Sequence, residues 1–360
     1  MNMLMTAPCL LGLEGLVADE LKQMQAENVS AENGRVYFEG DETILARANI
    51  WSRFSERILI VLDRFKATTF EELFQGVKAL PWSEFIGSKD TFPVKGYSIN
   101  SALHSVPDCQ KIIKKAVVES LKEDYNISWF EETGPVHQIQ FSIMKDEVVI
   151  MLDTSGAGLH KRGYRPVGND APIRETLAAA LCSLSRLRHY HALYDPFCGS
   201  GTILTEGAML ANNIAPGINR NFDVDRWGFI NQNVWISERQ RCRDLIKTDT
   251  DFVAFGSDID PKCVELTNKM QKILRLTNFC VFLSAMLKIF HRQQKRVLLL
   301  QIHLTAKECL ICEKQSVSIQ LWVTSLSANT VGLTALFLLM KNLKNASSAR
   351  RISVVNCITV

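Results

Sequence analysis

A chain of 360 residues, 47% hydrophobic and 22% charged, is long enough for two or three domains, each with its own core. Its formal net charge of +3 is too small to mark a nucleic-acid binder, so any such reading must rest on local patches. No run reaches the roughly 18 apolar residues of a membrane span. The first apolar run has no basic residue ahead of it and is broken by Glu14, unlike a secretory leader, and the ten cysteines are scattered. The expectation is a cytoplasmic protein with reduced thiols and no disulfide framework.

In the first 65 residues strand-like and helix-like runs alternate. Leu13, Leu16, Val17 and Leu21 recur at helical spacing, and "GRVYFEG" follows as a strand. Residues 107–125, "PDCQKIIKKAVVESLKEDY", predict an amphipathic helix with Ile112, Ile113, Ala116, Val117 and Leu121 on one face. Lys111, Lys114, Lys115 and Lys122 decorate the rest. "HQIQFSI" and "EVVIMLDTS" predict two half-buried antiparallel strands. "GLHKRGYRPVGND" then gathers Lys161, Arg162 and Arg165 around His160 and Tyr164. Basic groups beside rings that can stack suit a nucleic-acid backbone, and they suit a polar linker equally well.

The next segment predicts a helix with Asp170 as N-cap, Pro172 in the first turn, and Ile173, Leu177, Leu181 and Leu184 as its buried stripe. In "LYDPFCGSGTILTEGAML" a strand ends at Asp195. Gly199 and Gly201 then let the chain turn and meet a ligand with bare backbone, and Thr202 opens a helix whose free N–H groups point back at the turn. "FVAFGSDIDPKCVEL" repeats the pattern, its strand ending at Asp258 and Asp260-Pro261 capping the next helix. In a doubly wound fold an acid at that place bonds ribose hydroxyls, usually about 20 residues beyond the turn. The longer separation here predicts an insertion over residues 211–250.

Taken together, "SALHSVPDCQKIIKKA", "GLHKRGYR", "APIRETLAAAL", "DPFCGSGTILTEGAML", "PGINRNFDVDRW" and "GSDIDP" resemble, in order, the signature segments of a known family. It is the THUMP-domain class I S-adenosylmethionine (SAM)-dependent RNA methyltransferases of the bacterial 23S rRNA guanine-N2 type. The resemblance covers residues 5–268. It implies an α/β protein with a ferredoxin-like region (1–64), a THUMP RNA-binding α+β domain (65–165) and a Rossmann-like methyltransferase domain (166–360). It places Asp195, Cys198, Gly199, Gly201 and Thr202 around the methionine end of SAM, with Arg174, Glu175 and Thr176 bordering it, and Asp258 on the ribose. RNA would be met by Lys114, Lys115, Lys161, Arg162 and Arg165, the partner being 23S rRNA or the assembling large ribosomal subunit. DNA adenine-N6 methylation is the alternative within enzymes, and a catalytically dead RNA-binding remnant is the alternative outside them.

The family resembled carries an Asn-Pro-Pro-Tyr loop that grips the target amine of a flipped base. No such tetrapeptide occurs in this chain. It would fall at Gln301, Ile302, His303 and Leu304, about 40 residues after "SDIDP". Read from the third base of each codon, Leu300 to Lys307 can encode Thr-Asn-Pro-Pro-Tyr-Gly-Lys. The same frame turns "AMLKIF" into Asp-Val-Lys-Asp-Phe and "VNCITV" into Lys-Leu-Tyr-Asn-Gly. Composition breaks at the same place. Residues 269–360 contain Glu308 and Glu313 as their only acids, one glycine, no proline and 13 basic residues. The expectation is a frameshift after about Asn268, leaving 269–360 out of frame. Cys309, Cys312 and His303 lack an evident fourth ligand, so no metal is expected.

Overall fold

The structure is a computed structural model that describes residues 2–165, 173–189, 192–195, 198–258, 262–263, 265, 280–283, 296–303, 320–327 and 330–339. The chain divides into two compact units, Met1–His160 with Pro216–Cys242, and Lys161–Ala215 with Arg243–Val360.

The first unit runs β1 (Met3–Pro8), α1 (Glu14–Gln23), β2 (Glu27–Glu32), β3 (Arg35–Gly40), α2 (Glu42–Trp51) and β4 (Leu59–Lys66). It continues with α3 (Phe70–Lys78), β5 (Val94–Ile99), α4 (Val106–Tyr125), β6 (Gln138–Met144) and β7 (Glu147–Asp153). The seven strands form one sheet, in the order β2-β3-β1-β4-β7-β6-β5, so the two portions expected to be ferredoxin-like and THUMP share a single ladder. Only β5 and β6 pair in parallel. Helix starts are set by side chains. Asp41 accepts the Ile44 N–H at the head of α2, and Thr69 and Glu72 form a reciprocal capping box on α3. Alternate strand residues such as Met5, Phe38, Ile60, Ile150 and Phe141 are buried, as are the helix stripes Val17/Leu21, Leu73/Val77 and Ile113/Val117/Leu121. A second apolar cluster joins Tyr37, Leu59, Val61, Val149 and Met151.

The expected insertion supplies part of this unit. Trp227 stacks on His137 with ring centroids 4.6 Å apart, and the Gly217 N–H donates to the Ile50 carbonyl at 2.8 Å. In α7 (Gln232–Asp244), Glu238 pairs with the buried Arg47 guanidinium at 2.9 Å.

The second unit holds α5 (Glu175–Leu184), β8 (Ala192–Asp195), α6 (Thr202–Ala211), β9 (Val253–Ser257), β10 (Cys280–Leu283), β11 (Arg296–His303), β12 (Gln320–Ser327) and β13 (Thr330–Leu339). Its sheet order is β10-β9-β8-β11-β12-β13. The first four strands are parallel, while β12 runs antiparallel to both β11 and β13. The chain steps outward from β8 to β9 to β10 and then crosses to the other side of β8. The strand order therefore reverses beside β8, the switch point where doubly wound sheets bind ligands.

Helix α5 differs from its expected form. Its buried residues include Ala178, Ala179, Ala180, Leu181 and Cys182, whereas Leu184 is 40% exposed. The two helices pack together, and the small Cys182 side chain meets α6, its sulfur 3.5 Å from the Ile203 carbonyl oxygen. The helix starts at Glu175, after an extended Arg174. Asp170 and Pro172 lie outside the described residues.

Candidate active site

The turn after β8 is tied down from several sides. Asp195, at the strand end, is 3% exposed. The Cys198 N–H donates to the Ser257 carbonyl at 2.9 Å, fixing the turn to the end of β9. The Gly199 N–H donates to the Asp258 carboxylate at 2.8 Å, and the Gly201 N–H donates to the Cys198 carbonyl at 2.7 Å. Gly199 and Gly201 take φ values of 52° and 74°, the left-handed region that side chains other than glycine's enter at a cost. A Cβ built on Gly199 would meet nothing within 4 Å among the described residues. Thr202 begins α6 there, so the first-turn amides of the helix lie at the turn. Two strand-end carboxylates, bare backbone and a helix N-terminus thus meet at the carboxyl ends of β8 and β9. Burial pushes the Cys198 thiol up, with Asp195 and Asp258 adding to the effect, so it packs as a neutral group and not as a nucleophile.

Behind the turn lies a polar network that the sequence reading did not anticipate. Arg165 Nη2 donates to Thr202 Oγ1 at 2.8 Å, and Nη1 lies 3.2 Å from Glu175 Oε1. Burial raises the Glu175 carboxyl, with Arg165 opposing the rise. Arg162 Nε lies 3.4 Å from Glu206 Oε1, and the Tyr164 hydroxyl donates to the same oxygen at 2.8 Å. Glu206 is fully buried, and its Oε2 has no hydrogen-bond partner among the described residues. One sequence signal could have found it. A lone acid in the apolar helix "TILTEGAML" has to be buried with a cation.

The sequence-predicted residues therefore separate. Asp195, Cys198, Gly199, Gly201, Thr202 and Asp258 come together at the turn, and Thr176 is buried in the first turn of α5. Arg162 and Tyr164 are 3% and 1% exposed, which corrects the expectation of a surface cation beside a surface ring. Their polar ends are consumed by Glu206. Lys161 is exposed. In the first unit, Lys114 Nζ sits 3.5 Å above the Phe92 ring and 2.6 Å from Glu132, and Lys115 Nζ stands 5.5 Å from the centroid of Phe74. Gln301, Ile302 and His303, expected in a loop, continue β11, with their backbones opposite Trp322, Leu321 and Gln320 of β12. Strand pairing on that side leaves these three residues in a ladder. Leu304 lies outside the described residues. Among the described residues no cluster of His, Cys, Asp or Glu could hold a metal, and no helix is long and apolar enough to cross a membrane.

Comparison with known proteins gives three family matches. Residues 5–59 match the RlmL ferredoxin-like domain, 67–153 the THUMP domain, and 162–299 the RMKL-like methyltransferase domain. The chain is 42% identical over 291 residues to "Putative RNA methyltransferase YpsC" of Bacillus subtilis (strain 168), covering 80% of this chain and 75% of that protein. Among solved structures, a "predicted N6-adenine-specific DNA methylase" from Listeria monocytogenes superposes with a TM-score of 0.80 at 42% identity. It covers 84% of this chain and 79% of that one. SMU.472, solved in complex with SAH (S-adenosylhomocysteine), superposes with a TM-score of 0.79 at 34% identity, covering 86% and 84%.

Proposed function

Because this chain belongs to the family of THUMP-domain class I SAM-dependent RNA methyltransferases, we propose that its substrate is 23S rRNA and the acceptor a guanine N2. SAM is its cofactor. The observation that carries the reading is the glycine turn at the switch point, its left-handed backbone bracketed by Asp195 and Asp258. These groups fit the cofactor's chemistry. The first-turn amides of α6 suit its carboxylate, Asp195 suits its ammonium, and the acid at the end of β9 suits its ribose diol. When bound, SAM supplies a methyl group activated by a sulfonium. Gly199, Gly201 and Thr202 would hold its methionine end, Thr176 would border it, and Cys198 would fill space beneath. The THUMP match supports RNA as the substrate class, with Lys114, Lys115 and Lys161 as candidate phosphate contacts.

The Asn-Pro-Pro-Tyr loop that would accept the amine hydrogens does not occur in the sequence, and β11 continues through the first three positions where it is expected. We therefore propose that residues 269–360 are out of frame, so that this polypeptide binds SAM without efficient transfer. DNA adenine-N6 methylation stands as a second reading because the Listeria structure bears that description. One experiment addresses both questions: codons 260–310 are resequenced, and the written and any corrected chains are assayed with tritiated SAM on 23S rRNA and on plasmid DNA. The expected result is a base gained or lost near codon 268, with label in rRNA from the corrected chain alone. Label only in DNA would overturn the RNA substrate, and robust turnover by the written chain would overturn the frame proposal.

A further inference from the structure

A basic run such as "KRGYR" invites a phosphate-binding role for all its cations, yet Arg165 turns inward. Its guanidinium spans the first residues of two helices, donating to Thr202 Oγ1 at the start of α6 and pairing with Glu175 at the start of α5. Its Nε is buried with no partner among the described residues, a cost set against reaching both. One turn further along α6, Glu206 holds Arg162 and Tyr164. Segment 162–165 is thereby clamped to α6 at two points four residues apart, on one side of the helix. We propose that Arg165 is a positioning residue for the cofactor, acting through Thr202 to set the direction of the first-turn amides of α6 against the Gly199–Gly201 turn.

This inference rests on the cofactor reading above. Bare amides bind well only when they point at the ligand's charge, and a helix start is free to fray unless something holds it. Thr202 has no capping side chain ahead of it, because the N-cap is Gly201. The Arg165 guanidinium supplies that restraint from the side. Glu175 keeps its charge compatible with two neighbouring helix N-termini, whose dipoles would otherwise oppose a cation there.

The test uses the full-length protein and two probes, SAH by calorimetry and a labelled 23S rRNA fragment at fixed salt. Arg165→Met is expected to weaken SAH by about tenfold or more, as for loss of a charge-assisted hydrogen bond, while RNA affinity stays within about twofold. Arg165→Lys recovers only part of the loss, because one ammonium cannot make the forked contact. Thr202→Val weakens SAH similarly, and the double variant is no worse than the poorer single one. Circular dichroism and melting curves identify any variant that fails to fold, and Thr202→Val with Arg165→Lys carries the comparison if Arg165→Met does. Unchanged SAH affinity, additive effects, or a fall in RNA affinity alone would each overturn the proposal, the last making Arg165 a phosphate contact. An unmutated chain that bound no SAH would instead overturn the cofactor reading.

Discussion

Asp195 is nearly inaccessible to solvent and stands at the mouth of a turn whose two glycines adopt left-handed backbone. A ligand ammonium is the charge that this carboxylate suits in the proposed site. Asp195→Ala is expected to abolish SAH binding, and Asp195→Asn to weaken it by a smaller factor, since the amide keeps the shape and an acceptor but loses the charge. Calorimetry on folded variants checks this, and an alanine variant with undiminished affinity would remove Asp195 from the site. Arg162, another buried charged residue, is held by Glu206, a residue of its own unit.

Elements were legible where one face is apolar and the other polar. Strand β3, helix α4 and the β6–β7 pair lie close to their expected positions, because period-2 and period-3.6 patterns survive in half-buried elements. The glycine turn was legible because few residue types tolerate its backbone. Helix α5 was misread for the opposite reason, since its closest packing uses alanines that carry little periodic signal. Tyr164 and Arg162 were read as a surface because local sequence cannot reveal a partner 42 or 44 residues away. Close packing also decides strand tolerance. In the parallel β5–β6 pair, a Cβ on Gly96 would fall 2.2 Å from the Phe141 carbonyl oxygen and 2.4 Å from its ring. Gly96→Ala should cost about 1–3 kcal/mol through forced backbone displacement. A lower urea midpoint with an unchanged slope is the expected reading, and an unmoved midpoint would contradict the steric argument.

Across the first unit, stability should depend on pH through His137. Burial holds its imidazole down at about 4, against 6.5 for the free group, and Asp90, 2.9 Å away, only partly opposes this. The unfolded chain therefore takes up this proton first as pH falls. The contribution is complete above about 6.5 and is lost progressively toward about 4, amounting to about 3 kcal/mol at most. His137→Phe keeps a ring against Trp227 and should flatten that part of the urea-midpoint profile between about pH 7 and pH 5. A variant that retained the full slope would place its origin elsewhere. The ring that covers His137 also bears on synthesis. Trp227 belongs to the first unit, yet the ribosome makes it only after all of residues 161–215. At roughly 5–20 residues per second, the seven-stranded sheet waits seconds for its last piece after Asp153 is complete. During that interval a nascent chain exposes His137 and the Ile50 carbonyl, and a stop or stall anywhere between 160 and 242 releases a first unit still lacking part of its own core.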